Sequence, residues 1–368
     1  MSPRIRVLVV DDSVIIRRIL TEVLSEDPDI EVMGSAPHGR IALAKIAQTP
    51  PDLVTLDVEM PEMDGIETLR EIRKLHPKLP VIMFSTKTER GASTTLQALT
   101  LGASDYLTKP EASEGITEAR DRVRAELVGK VKALVRRLRP EFKPQPHLVA
   151  KAPAPRVHTP TVRRLGLPPQ LLAIGASTGG PNALAEVLSA LPTAFPIPVL
   201  ITQHMPPMFT RMLADRLTTI SPFKAKEAEN GDVPQPGYVY VAPGDHHLVV
   251  VRDGTRLVLR LNQDPPECSC RPSVDVMFRS IAETYGGRVL ATILTGMGQD
   301  GLRGCEALAA KGAQILAQDE QTSVVWGMPG YVAHAGLADA VLPIREIAAE
   351  ITRRLKNPLL EGRHAAQS

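Results

Sequence analysis

The sequence predicts an α/β protein of two doubly wound parallel-sheet domains joined by a proline-rich linker. Two observations carry this. Apolar, strand-like runs alternate with helical stretches along both halves of the 368 residues, the signature of βα units feeding a parallel sheet. Between the halves, Gly129 to Pro168 holds ten Lys or Arg against one acid, Glu141, with seven prolines. Past Leu138 this segment cannot hold a helix, because each proline removes a donor and restricts its predecessor. The length suits two domains, so the expected divisions are 1–128, a linker at 129–168, 169–357, and a tail at 358–368.

Composition narrows the function classes. The net charge is +2, which argues against a whole-protein nucleic-acid binder. Three cysteines, Cys268, Cys270 and Cys305, are too few and odd for a secreted disulfide framework and suit free thiols in a reducing cytoplasm. The start "MSPRIRVLVVDDS" lacks the pattern of a signal peptide. No apolar run is long enough to span a bilayer. The expectation is a cytoplasmic protein without membrane insertion, its basic linker a solvated, semi-extended tether.

In the N-terminal half the strands are "IRVLVV", "IEVMGSA", "DLVTLDV", "PVIMFST" and "ASDYLT". Parallel strands bring their carboxyl ends to one ligand-binding edge. Asp11 and Asp12 follow the first strand and Asp57 the third, so three carboxylates are expected to meet there. Such a cluster repels itself, which raises the carboxyl pKa values or recruits a cation, and hard oxygen ligands suit Mg²⁺. Ser85 follows the fourth strand and Lys109 the fifth, adding a hydroxyl and a positive charge. Helix capping accounts for Asp12 or Ser13 alone, but not for acid, acid, hydroxyl and lysine ending four strands of one sheet.

In the C-terminal half the strands are "LLAIGAS", "PIPVLITQHM", "RVLATILTGMG" and "AQILAQ". "HLVVVRDGTRLVLRL" reads as a hairpin turning at Asp253-Gly254. Gly175-Ala176-Ser177-Thr178-Gly179 fits G-x-S-x-G between a strand and a helix, where small neighbours permit a sharp turn that exposes the hydroxyl. Taken alone, this string is equally a helix cap or a phosphate-cradling loop. A nucleophile needs a base and the base an orienting acid. His204 ends the next strand and Asp300 follows a later one, which places both on the same edge as Ser177. His246 and His247 lie at a turn before the hairpin. An α/β-hydrolase arrangement would instead pair Asp300 or Asp319 with His334. The pair Cys268 and Cys270 offers too few further ligands for a metal site and reads as inert or surface thiols.

Two resemblances follow from these strings. "VLVVDDS", "LDVEMPEMDG", "FST" and "YLTKP" closely resemble the receiver domain of response regulators, which implies a flavodoxin-like fold over about the first 125 residues. On that resemblance Asp57 is the phosphoacceptor. Asp12, Asp57 and the Glu59 carbonyl hold Mg²⁺, with Asp11 behind them. Ser85 and Tyr106 form a switch pair, and Lys109 contacts the phosphoryl group. "IGASTGGP", "TQHMP", "YVAPGDHHL", "RPSVDVMFRS" and "LTGMGQDG" resemble the catalytic domain of the CheB family of protein-glutamate methylesterases, which implies a Rossmann-like domain with a hairpin. The resemblance makes Ser177 the nucleophile, His204 the base and Asp300 its orienter, with the Met297 and Thr178 N–H groups at the oxyanion. It implies glutamate γ-methyl esters of chemoreceptors as substrate, glutamine amides as a second substrate, and a CheA-type histidine kinase as phosphodonor. Cys270 stands where a histidine is expected. A DNA-binding output would need a basic recognition helix, which this half lacks; a non-catalytic interaction output would leave the Ser, His and Asp without work.

Overall fold

The structure is a computed structural model that describes residues 4–110, 115–139 and 168–356. The chain divides into two compact units, within residues 1–147 and 148–368. The proline-rich part of the expected linker and the tail lie outside the described residues.

The first unit contains β1 (Ile5–Val10), α1 (Val14–Ser25), β2 (Ile30–Ala36), α2 (Gly39–Gln48), β3 (Leu53–Asp57), α3 (Gly65–Leu75), β4 (Val81–Ser85), α4 (Glu89–Thr100), β5 (Asp105–Thr108) and α5 (Ile116–Leu138). All five strands pair in parallel in the order β2-β1-β3-β4-β5. The inner strands are nearly continuous apolar runs, as burial on both faces requires, and Val7, Leu8, Val9, Leu53, Leu56, Ile82 and Met83 are fully buried. Polar residues start several helices: Ser13, Asp64 and Thr88 accept N–H groups at the heads of α1, α3 and α4. Helix α5 continues to Leu138, so the first part of the basic segment is helical. Three of its charges pair with acids of the same unit: Lys130 with Asp105 at 2.7 Å, Lys132 with Asp27 at 2.8 Å, and Arg139 with Asp52 at 2.9 Å.

The second unit contains β6 (Leu171–Ala176), α6 (Gly180–Ser189), β7 (Val199–Gln203), α7 (Phe209–Ile220), β8 (Lys224–Glu227), β9 (Tyr238–Val241), β10 (His247–Asp253), β11 (Arg256–Asn262), α8 (Val274–Thr284), β12 (Val289–Ile293), α9 (Leu302–Ala310), β13 (Gln314–Gln318), α10 (Met328–His334), β14 (Ala340–Leu342) and α11 (Ile344–Lys356). Seven parallel strands run in the order β14-β13-β12-β6-β7-β9-β8. Strands β10 and β11 form a separate antiparallel hairpin packed against α8. Three strands exceed the sequence expectation. Strands β8 and β14 are short edge strands, and "KAKE" in β8 carries no apolar run; β9 lies within a string read for its motif. The hairpin turn is one residue later than expected: Asp253 pairs with Arg256, leaving Gly254 and Thr255 in the loop.

Candidate active site

The order of the second sheet makes β6 the neighbour of both β7 and β12. The residues just past their carboxyl ends, Ser177, His204 and the loop to Asp300, therefore share one edge. The chain reverses after Ser177 through Gly179 at φ 79°, a conformation open to glycine, and α6 begins at the next residue. Close packing fixes the serine. Its N–H donates to Thr295 O at 3.0 Å, and its carbonyl accepts from Gly180 N–H at 2.7 Å and Gln203 Nε2 at 2.9 Å. A β-carbon on Gly296 would lie 2.9 Å from Ser177 Cβ and 2.3 Å from Met328 Sδ, so only glycine fits there. The His204 N–H donates to Ala176 O at 3.2 Å, tying the histidine to the residue before the serine.

Half-buried His204 and buried Asp300 form a pair. His204 Nε2 lies 2.7 Å from Asp300 Oδ2. A carboxylate only accepts, so Nε2 carries the hydrogen and Nδ1 is the basic nitrogen of the neutral ring. Asp300 is held by more than the histidine. Its Oδ2 also accepts Val274 N–H at 2.7 Å, and its Oδ1 accepts Ser273 Oγ–H, Asp275 N–H and Gly301 N–H at 2.8, 2.9 and 3.0 Å. The free N–H groups and positive end of α8 thus grip the carboxylate. Burial alone would raise Asp300, but the hydrogen bond and charge of His204, with the α8 N–H groups, hold it below its ordinary value. Burial disfavours a charged His204 ring; hydrogen bonds with Asp300 and Cys270 outweigh it and raise the imidazole to about 10.

Ser177 Oγ makes no hydrogen bond among the described residues. Neither does the Met297 N–H, one residue beyond the Gly296 that packs on Ser177. The Thr178 carbonyl accepts Thr295 Oγ1 at 2.9 Å. His334 packs edge-on against Trp326 with ring centres 5.1 Å apart, and Asp319 accepts Thr322 N–H at 3.0 Å. Since Asp300 pairs with His204, the arrangement through His334 is absent among the described residues. His246 turns back on Gly244 O. His247 is fully buried and accepts Ser273 N–H at 3.2 Å, so it supports the α8 cap rather than reacting.

Of the two thiols read as inert or surface, Cys268 is exposed, whereas Cys270 is only partly so. It is half-buried, and its Sγ lies 3.5 Å from His204 Nδ1. Cys268 is exposed and lies in a group with Asp275 and Asp300 whose ligand atoms are within 4.8 Å of one another. The five donors already on Asp300 leave that carboxylate no room for a metal. The sequence also left Ser273, Asp275, Thr295 and Gln203 without roles. The string "RPSVDVMF" was visible, but nothing local says that its helix start receives a carboxylate from 25 residues later.

In the first unit, Asp11, Asp12 and Asp57 bring carboxylate oxygens within 4.8 Å of one another. Lys109 Nζ lies 3.0 Å from Asp11 Oδ2 and 2.6 Å from Asp57 Oδ2. Burial, then the charge of Asp11, raise Asp57 to about 6, against the pull of Lys109. Burial also raises Asp11, opposed by Lys109. One lysine does not neutralise three acids, and the hard oxygen set fits Mg²⁺. Glu59 enters through its N–H, which donates to Asp57 Oδ1 at 3.2 Å, while its side chain faces Arg90. Ser85 and Tyr106 are buried on adjacent strands; Ser85 Oγ donates to Thr86 O at 3.3 Å, and the Lys109 N–H to Ser85 O at 2.7 Å.

Comparison with known proteins agrees with both units. Residues 172–351 match the family described as CheB methylesterase, and residues 7–121 match the response regulator receiver domain. A protein-glutamate methylesterase/protein-glutamine glutaminase of Trichodesmium erythraeum is 49% identical over 96% of this chain and 99% of its own. One of the same name from a Nocardioides species is 53% identical over 96% of each. The crystal structure of the Thermotoga maritima CheB methylesterase catalytic domain superposes with a TM-score of 0.50 and 40% identity, covering 51% of this chain and 99% of that one.

Proposed function

The chain belongs to the CheB family of protein-glutamate methylesterase/protein-glutamine glutaminases, with a receiver domain ahead of the catalytic one, and from this premise we propose a mechanism built on Ser177, His204 and Asp300. The observation that carries it is the His204–Asp300 pair at the sheet edge where Ser177 ends the adjacent strand. The substrate is a glutamate γ-methyl ester on a chemoreceptor. Ser177 Oγ attacks the ester carbonyl while its proton passes to His204 Nδ1, and Asp300 holds the ring and offsets its new charge. The Met297 N–H, with that of Thr178, stabilises the tetrahedral oxyanion; one such donor contributes about 3 kcal/mol, a factor of hundreds in rate. The C–O bond to the methyl group's oxygen breaks, His204 returns the proton, and methanol leaves. Water, deprotonated by the same nitrogen, then frees the glutamate and restores Ser177. A glutamine amide follows the same course with ammonia as leaving group.

In the first unit, Asp57 is the phosphoacceptor, and Asp12, Asp57 and the Glu59 carbonyl would hold Mg²⁺, with Asp11 behind them. The ion supplies charge neutralisation at the transferring phosphoryl group. Lys109 binds a phosphoryl oxygen, and Ser85 with Tyr106 reports the modification. The donor is a CheA-type histidine kinase, the setting is cytoplasmic, and phosphorylation raises esterase activity. The test is methanol release from methylated receptor, with and without a small-molecule phosphodonor. Ser177→Ala should abolish release while leaving Asp57 phosphorylation intact; retained release overturns the mechanism.

A further inference from the structure

We infer that Cys270 is a third partner of the His204 ring, a thiol held on the nitrogen that the Ser177 hydroxyl must reach, so that covalent capping of its sulfur closes the esterase. The inference rests on the Ser177–His204–Asp300 reading above. Its basis is a continuous polar chain: Asp300 Oδ2 to His204 Nε2 at 2.7 Å, then His204 Nδ1 to Cys270 Sγ at 3.5 Å. With Nε2 committed to Asp300, one ring nitrogen is left, and in this structure it faces sulfur. A neutral ring accepts the S–H. An adjacent base of this kind is how cysteine side chains are made nucleophilic.

The backbone fixes the sulfur there. Cys268 and Ser269 both take positive φ, 50° and 61°, and Glu267 and Cys270 exchange backbone hydrogen bonds at 3.2 and 2.8 Å across this tight turn. Arg271 then anchors the loop to Asp245 through Nε at 3.0 Å and Nη2 at 2.5 Å. The other titratable groups near the chain are already engaged. Asp275 of α8 accepts Gly304 N–H at 2.7 Å, Arg279 of α8 pairs with Glu267, and exposed Cys268 lies near Asp275 and Asp300. The link between His204 and Cys270 accords with the upward shift of the imidazole.

Two consequences separate this role from a merely structural thiol. Removing the sulfur takes away one of the groups that favour the charged ring, so the neutral base forms at lower pH. Alkylation by iodoacetamide forms a C–S bond at Cys270 and breaks the C–I bond; iodide leaves, and the thiol proton goes to His204. The added group then blocks Nδ1 from Ser177.

The test uses the full chain. Iodoacetamide labelling followed by peptide mass mapping should modify Cys270 at least about tenfold faster than exposed Cys268, with methanol release falling in step. Labelling of Cys270 should slow to the Cys268 rate in His204→Gln and in Asp300→Asn, each first shown to be folded by circular dichroism. In Cys270→Ala the esterase should resist the reagent, and the acidic limb of kcat/KM should move to lower pH. Cys268→Ala should change neither result. Equal labelling of the two thiols, or an unmoved limb in Cys270→Ala with only a lower plateau, overturns the inference. Ser177→Ala keeps the two readings apart: full release in that variant sinks the nucleophile, whereas its Cys270 labelling rate still tests the thiol.

Discussion

Ser273 donates its hydroxyl to Asp300 Oδ1 at 2.8 Å from the cap position of α8. One side chain therefore starts the helix and steadies the acid that orients His204. Ser273→Ala removes a charge-assisted hydrogen bond together with the helix cap. It should lower stability by about 1–3 kcal/mol and kcat roughly tenfold or more through a looser imidazole. Thermal denaturation with steady-state methanol release checks both; unchanged kcat means Asp300 does not depend on this hydroxyl.

The His204–Asp300 pair predicts the pH behaviour of the second unit. Asp300 lies below its ordinary value, so its contribution is present above the ordinary carboxylate range and is lost as pH falls through the folded value. His204 is raised to about 10, so its contribution is complete below the ordinary imidazole range and fades as pH rises through about 10. Denaturant midpoints of the wild type should exceed those of His204→Gln at neutral pH and converge with them toward alkaline pH. A pH-independent gap would contradict the pairing.

The same shift bears on rate. Only the neutral ring accepts the Ser177 proton, so kcat/KM should keep rising on the alkaline side of neutrality. A profile already flat from about pH 7 upward would place the working base at the ordinary imidazole value.

Gly296→Ala would set a β-carbon 2.9 Å from Ser177 Cβ and 2.3 Å from Met328 Sδ. The serine must shift or Met328 must repack, at a cost of about 1–3 kcal/mol. The expected result is a large loss of kcat. Gly312→Ala serves as the comparison: it meets nothing within 4 Å but has φ 83°, so it should destabilise without the same loss of rate.

Asp57 is raised to about 6 from an ordinary 3.8 by burial and by Asp11. A carboxyl raised in the folded state loses stability as pH climbs from its unfolded to its folded value. Asp57→Asn should therefore stabilise the first unit at neutral pH without Mg²⁺, by about 1–3 kcal/mol. The same variant should abolish activation by a phosphodonor. Differential scanning calorimetry in EDTA reads the first effect, and a lower transition for the variant would refute it.

Much of this protein was legible in its residues. Alternating apolar runs determined two parallel-sheet units, and in such sheets the strand ends share an edge. Asp11, Asp57, Ser85, Lys109, Ser177, His204 and Asp300 could thus be grouped from strand position alone. The tertiary structure decided what periodicity cannot encode. It set the α8 N-terminus on Asp300, buried His247 under the cap, turned the first basic charges of the presumed tether onto acids of their own unit, and brought Cys270 to His204. Those contacts depend on how loops close between distant elements, and a loop's path follows from packing and backbone hydrogen bonds assembled only when the whole chain is folded.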